Sequence, residues 1–337
     1  MSAAADLSRG LLRQAWALRK APDPQGMVAL LSPVPKEILA GELELAHLLS
    51  WGLRELGEFQ KSLDLQLELE DRFRRRGNDW LLRWWLLVAG TNWLETGDAR
   101  GAMLCWSECL DLAEQADDQY SMAWAANNLG GVAAQLGHFG EALPNYQRAI
   151  AANHRRGYMR GLSLGYHNVA EAHTECGRFD DALESIGYAI GYSRTAGNML
   201  LVRWHEVTRA KAFIHAGDFT AARTLIGRAQ AVFREARHDF QLAVATTELG
   251  VCARSEKCFE QAEEHLLDGL AIATRLQARL LRAITLVELG LLYDSLHRTT
   301  PAAQALIEAR ELLVRFGGTY LLDRRMDQLS LSTREKL

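Results

Sequence analysis

The sequence superposes on itself at a shift of 40 residues, and this periodicity constrains the fold more than any other property of the chain. Glycine recurs at Gly57, Gly97, Gly137, Gly177 and Gly217, and two residues after the same frame position come Phe59, Phe139, Phe179, Phe219 and Phe259. A small residue follows in every unit: Ser62, Ala102, Ala142, Ala182, Ala222, Ala262 and Ala302. Upstream, a second small column holds Ser50, Gly90, Gly130, Ala170, Ala210, Gly250 and Gly290. Two small columns flanking a glycine turn describe a helical hairpin. Helix A runs up to the glycine, the aromatic fills the corner, and helix B crosses A where small side chains let the backbones approach. A second glycine frame at Gly77, Gly157, Gly197 and Gly317 ends helix B. Each hairpin buries only part of its apolar stripe alone, so neighbouring units must stack to complete a core.

Length by itself suggests about two domains at roughly 150 residues each, but the repeat replaces that estimate with one continuous array. The proline distribution agrees: Pro22, Pro24, Pro33 and Pro35 precede residue 36, and the other two, Pro144 and Pro301, fall near the starts of B helices, where a missing donor is tolerated. The expected fold is all-α, a right-handed superhelical solenoid of seven hairpins starting near residues 43, 83, 123, 163, 203, 243 and 283. Residues 1–36 read as a divergent N-terminal cap with helices over 7–20 and 25–31, residues 37–317 as the repeats, and residues 318–337 as one capping helix that carries Arg324, Arg325 and Asp327.

The stretch Asn128, Leu129, Gly130, Gly137, His138, Phe139, Gly140, Glu141, Ala142, Tyr146 and Ala149 resembles the tetratricopeptide repeat. The resemblance covers most of residues 37–317 and weakens where Lys257 and His297 replace the turn glycine or Thr299 the aromatic. A 40-residue unit is similar to the subclass found in cell-polarity adaptors and in the sensor modules of large LuxR-type transcription regulators, and near that of kinesin light chains. Pro144 is similar to that subclass too.

The family resemblance implies that A helices line a concave groove. Its first ligand-facing column carries over to Glu44, Trp84, Trp124, Leu164, Trp204, Val244 and Ile284. Trp84, Trp124 and Trp204 then either anchor a ligand, as rigid amphipathic rings do at binding hot spots, or fill gaps between neighbouring A helices. Asn127 and His167 belong to the next column, and Glu171 and Lys211 to the one after. Asn128 and Asn168 match asparagines that hydrogen-bond a bound extended peptide in related proteins; the alternative is an amide satisfied within its own helix. The last two repeats offer an apolar end, Val244, Val251, Ile284, Val287 and Leu291, suited to a hydrophobic ligand segment or a second subunit. The lysine and arginine pattern that clamps a partner's terminal carboxylate in some family members is absent, because those columns hold His, Asn, Thr and Val.

His167, Glu171 and Lys211 form the best constellation for acid and base chemistry, yet no phosphate-binding loop, His-Glu-x-x-His or nucleophile elbow accompanies them. Cys105 and Cys109 lie one turn apart without a partner pair, and His173 and Cys176 are oriented apart by the hairpin, so neither metal nor other cofactor is expected. The run Arg72, Arg74, Arg75 and Arg76 reads as a solvated helix C-terminus or a docking patch for an acidic partner. A net charge of −4 and a pI near 6.2 give no bulk attraction for nucleic acid or an anionic membrane. No apolar run reaches the roughly 18 residues a spanning helix requires, and five scattered cysteines fit a reduced cytoplasmic protein. The sequence therefore points to a non-catalytic scaffold that binds a protein or peptide segment. The other reading is the sensing module of a signalling or transcription regulator, to which the faint LuxR-like similarity of residues 329–337 adds.

Overall fold

The hairpin is built at its turns. In the computed structural model, which describes residues 3–77, 79–314, 320–325 and 328–334, Gly97 closes α6 (Trp80–Thr96) in the left-handed conformation, φ 100°. The Asp98 amide then donates back to the Trp93 carbonyl at 2.8 Å, and the Asp98 carboxylate caps α7 (Ala99–Gln115) by accepting from the Gly101 amide at 2.8 Å. The same turn persists where glycine is missing. Lys257 and His297 adopt φ of 65° and 58° in this frame, and Asp117, Arg237 and Gln277 adopt 51° to 55° in the frame that ends helix B.

Turns of this kind separate α4 (Leu43–Glu55) from α5 (Phe59–Arg75), α8 (Gln119–Gln135) from α9 (Phe139–Arg156), and α10 (Met159–Glu175) from α11 (Phe179–Thr195). They recur between α12 (Met199–Ala216) and α13 (Phe219–Glu235), α14 (Asp239–Ser255) and α15 (Phe259–Arg275), and α16 (Arg279–Ser295) and α17 (Thr299–Val314). The small columns explain how closely A and B meet. A Cβ added at Gly90 would lie 2.3 Å from Nε1 of Trp106, one at Gly130 2.7 Å from the Tyr146 ring, and one at Gly290 2.5 Å from Leu306. Where serine stands instead, Ser50 and Ser62 hydrogen-bond at 2.8 Å. The described residues contain helices and turns and no strand, the all-α helical-repeat architecture of the α-solenoid class.

The chain divides into two compact units, Met1–Leu129 and Gly130–Leu337, the division falling within α8. In the first, α1 (Ala3–Lys20) and α2 (Pro24–Leu31) take the place expected of a helix pair, followed by a third short helix, α3 (Lys36–Gly41), which the prolines at 33 and 35 had obscured. Its core stacks Phe73 on Trp85 at 3.7 Å and encloses a polar network that the repeat pattern does not announce. Asn92 donates to Ser62 and to Gln66, each at 2.7 Å, and Gln66 donates to the Trp85 carbonyl at 3.2 Å, all buried.

In the second unit the expected single helix over 318–337 is replaced, among the described residues, by α18 (Tyr320–Asp323) and α19 (Leu331–Arg334). Gly317, Asp327 and residues 335–337 of the LuxR-like stretch lie outside the described residues. Leu322 and Leu329 are buried in the cluster that contains Val287 and Leu291, so two of the five residues of the apolar end expected to receive a ligand or second subunit are buried with the chain's own segment. Pro144 sits beyond the first turn of α9 on its exposed face, where the acceptor it leaves, Gly140, is also exposed. No helix among the described residues is long and apolar enough to cross a membrane.

Candidate functional site

Two surfaces emerge, one in each unit. In the first unit an aromatic ladder follows the A helices. Trp80 meets Trp84 edge-on at 5.4 Å, Trp84 meets Tyr120 at 5.5 Å, and Tyr120 meets Trp124 at 6.2 Å. Trp84 also touches Trp16 of α1 and His47 of α4, and Trp16 donates to a carboxylate oxygen of Glu44 at 2.5 Å. The two readings of the tryptophan column thus divide between residues. Trp84 is half-buried and fills the space between neighbouring helices, whereas Trp124 is 44% exposed and Trp80 40%. Asn127 and Asn128 follow Trp124 on α8, both half-buried. Asn127 is engaged within the chain, while no side-chain hydrogen bond is formed by Asn128 among the described residues.

Trp80 and Tyr120 were missed by reading one column at a time. They lie one turn before Trp84 and Trp124, and the same 40-residue step leads to Phe240, 46% exposed, which packs near Trp204 at 6.4 Å. An aromatic column at 80, 120 and 240 was the available signal.

In the second unit the polar side chains of three A helices converge. Lys211 of α12 stands 2.9 Å from Glu171 of α10 and 3.4 Å from Glu248 of α14. Glu171 is half-buried, with 41% of its side chain open to solvent. Burial acts to raise its pKa, but Lys211 and then His167 bring it down to about 2. Lys211 shows the mirror image: burial works against its charge, and Glu171 and Glu248 together raise its pKa. Burial, offset by Lys211, raises Glu248.

His167 corrects the sequence expectation. Its side chain is turned inward, 5% exposed, with Nδ1 3.1 Å from Nδ1 of His205 and Nε2 3.9 Å from Glu171. It is therefore packed between α10 and α12 beneath Glu171 and is not presented at the surface. Trp204, half-buried, packs on the His167 ring at 5.8 Å, and Asn168 is half-buried and engaged within the chain. The structure thus unites His167, Glu171, Trp204 and Lys211 and adds His205, Thr208 and Glu248. The column Asn128, Asn168, Thr208, Glu248 and Glu288, polar at every step, carried that information.

Elsewhere the chemistry is quiet. Burial pushes the Cys105 thiol up to about 11 and Cys109 to about 12, which disfavours the thiolate that a metal or an electrophile needs. Three of the four arginines of the run are paired: Arg74 with Glu70 and Glu108, Arg76 with Asp79, and Arg72 with the Ala40 carbonyl.

No protein-family model and no curated protein matches the sequence. Among solved structures the chain is similar to the apo form of the quorum sensor NprR from B. thuringiensis, TM-score 0.70 at 14% identity over 91% of this chain and 87% of that one. NprR in complex with its cognate peptide NprX aligns with TM-score 0.55 at 17% identity over 80% and 81%. A Rap protein complexed with Competence and Sporulation Factor aligns over 98% of this chain and 100% of that one, TM-score 0.65 at 14% identity. A signal-transduction ATPase with a tetratricopeptide repeat sensor from Pyrococcus horikoshii aligns with TM-score 0.62 at 14% identity over 96% of this chain and 48% of that one. The fold is of the tetratricopeptide-like helical-repeat type.

Proposed function

We propose that this chain is a non-catalytic, cytoplasmic scaffold that binds an extended peptide segment, anchoring it on the aromatic ladder of the first unit. The observation that carries the reading is the exposed Trp124 ring one turn before the half-buried Asn128 amide, which makes no side-chain hydrogen bond among the described residues. The ring supplies apolar contact at low conformational cost, and the amide offers a donor and an acceptor that suit any peptide group. A preformed surface spares the protein its own ordering cost on binding. The peptide complex of NprR supports the reading by analogy of fold. Five free cysteines agree with a reducing compartment.

The test is selection of a random peptide library on the full chain. Affinity of the selected peptides for the Trp124→Ala/Asn128→Ala variant should fall at least ~30-fold, on the order of 2 kcal/mol for a central aromatic anchor, with helicity and Tm unchanged. Parallel loss of fold and binding would make the pair structural. A second reading, a sensing module of a larger regulator, draws on the Pyrococcus horikoshii similarity. It requires that a small effector shift the Tm in a metabolite screen.

A further inference from the structure

Residues 320–325 and 328–334 lie across the second unit and bind it as a peptide would. Tyr320 lies on the bare backbone of Gly137, where a Cβ would stand 2.3 Å from the ring, and meets Phe139 edge-on at 5.7 Å. Leu322 is fully buried and Leu329 nearly so, in the seat formed with Val287 and Leu291. Arg324 pairs with Glu175, 149 positions away in the sequence. Arg325 stands 3.5 Å from Glu288, which also accepts from Arg254 at 2.6 Å. Asp294 accepts from the Ser330 amide at 2.9 Å and from the Thr333 hydroxyl at 2.6 Å.

These contacts come from the third, fourth and seventh hairpins, so the segment spans repeats instead of closing only the last one. Glu175 lies one turn beyond Glu171 on α10, which places the segment at the edge of the charged wall. Each element of the seat selects a chemistry: a glycine floor beside Phe139 takes a ring, an apolar pocket takes leucine, and two carboxylates take two guanidinium groups. The Arg324–Glu175 pair is partly exposed, with Arg324 32% and Glu175 36% open, whereas Glu288 is buried. An exposed pair contributes little by itself, and the tether adds to it by holding the segment at an effective concentration on the order of millimolar.

We propose that residues 320–325 and 328–334 are an internal ligand, and that the surface beneath them, built on Gly137, Phe139, Glu175, Val287 and Glu288, is a recognition surface for a peptide presenting an aromatic residue, then leucine and paired arginines. It rests on the peptide-binding reading above but uses a different surface. A partner peptide of this chemistry displaces the segment and uncovers the edge of the Glu171–Lys211 wall.

The test uses the full chain and a fluorescein-labelled peptide with the sequence of residues 320–334, read by anisotropy. Arg324→Glu/Arg325→Glu, which repels the internal segment from its carboxylates, should bind the peptide at least tenfold tighter than wild type. Adding Glu175→Arg should remove that gain. Equal affinity of wild type and the released variant, or no effect of Glu175→Arg, overturns the proposal. Should the released variant unfold, Tyr320→Ala replaces it, with both ion pairs kept and the same tighter binding expected. On wild type, saturating peptide should speed hydrogen exchange of residues 320–325; binding without faster exchange places the peptide elsewhere and refutes displacement. Trp124→Ala leaves this peptide's affinity unchanged, so the outcome separates from that of the first-unit anchor.

Discussion

His167 and His205 meet Nδ1 to Nδ1 at 3.1 Å, both buried, so one ring must donate and the other accept. The network assigns the donor to His205: His167 then points Nε2–H toward Glu171 at 3.9 Å, whereas the reverse tautomer turns a lone pair on that carboxylate. His205 Nε2 is left as a buried acceptor with no partner among the described residues. Protonating either ring breaks this arrangement. Burial, reinforced by His167, holds His205 at about 3; burial, and then Lys211, lowers His167 against the pull of Glu171.

A pH dependence follows. In the first unit His47 is also held at about 3, by burial and then Arg19. Folded values below the unfolded 6.5 mean that the stabilising contribution is complete above pH 6.5 and is lost as pH falls from 6.5 toward 3. Each histidine adds a slope of at most ~1.4 kcal/mol per pH unit in that window. Glu171, depressed from 4.5 to about 2, adds a further loss below pH 4.5. Urea midpoints should fall steadily from pH 7 to 5, and His205→Phe should flatten the dependence. A level midpoint would contradict the neutral pair.

Lys211 is the cation between two carboxylates, and its loss should be felt by both. Lys211→Met leaves Glu171 and Glu248 facing each other uncompensated. Because 28% of Lys211 and 41% of Glu171 remain open to solvent, the expected cost is reduced to about 1–2 kcal/mol. Adding Glu171→Gln should recover part of it. Urea unfolding at pH 7 measures both, and a neutral Lys211→Met would show that water screens the trio completely.

What the sequence made legible and what it did not have separate physical causes. Columns of small residues and turn glycines report backbone approach, which depends on a single residue, so the hairpins could be read directly. Inward or outward orientation depends on the neighbouring helix. That is why His167 read as ligand-facing when it is buried against His205, and why Trp84 and Trp124 read alike although only Trp124 is open. The Asn92–Ser62–Gln66 network escaped notice because its members come from two hairpins and none is polar in a repeating column. The return of residues 320–325 over the third and fourth hairpins is a contact between distant positions that no periodicity encodes.

The turns without glycine are a second source of testable energy. Lys257 and His297 hold φ of 65° and 58°, a region where a Cβ costs roughly 1–2 kcal/mol, offset by the ~0.5–1 kcal/mol of chain entropy that glycine loses on folding. Lys257→Gly and His297→Gly should therefore each stabilise the chain by about 0.5–1 kcal/mol, measured by urea unfolding. No gain in either would mean that the side chain's own contacts balance the strain.

Gly137 and Gly177 occupy the same turn position in adjacent hairpins, with φ of 80° and 73°, and differ in what lies above them. A Cβ at Gly177 meets nothing within 4 Å, whereas one at Gly137 would lie 2.3 Å from the Tyr320 ring. Alanine at either position adds the same left-handed strain, about 1–2 kcal/mol. Only Gly137→Ala also lifts Tyr320 from Phe139, adding the ~0.5–1.5 kcal/mol of an aromatic pair. The pair of variants thus isolates the seat of Tyr320 from turn strain. Gly137→Ala should melt lower than Gly177→Ala and should speed amide exchange across residues 320–325, while Gly177→Ala leaves that exchange at the wild-type rate. The same exchange in both variants would show that the ring is held by something other than the bare backbone of Gly137.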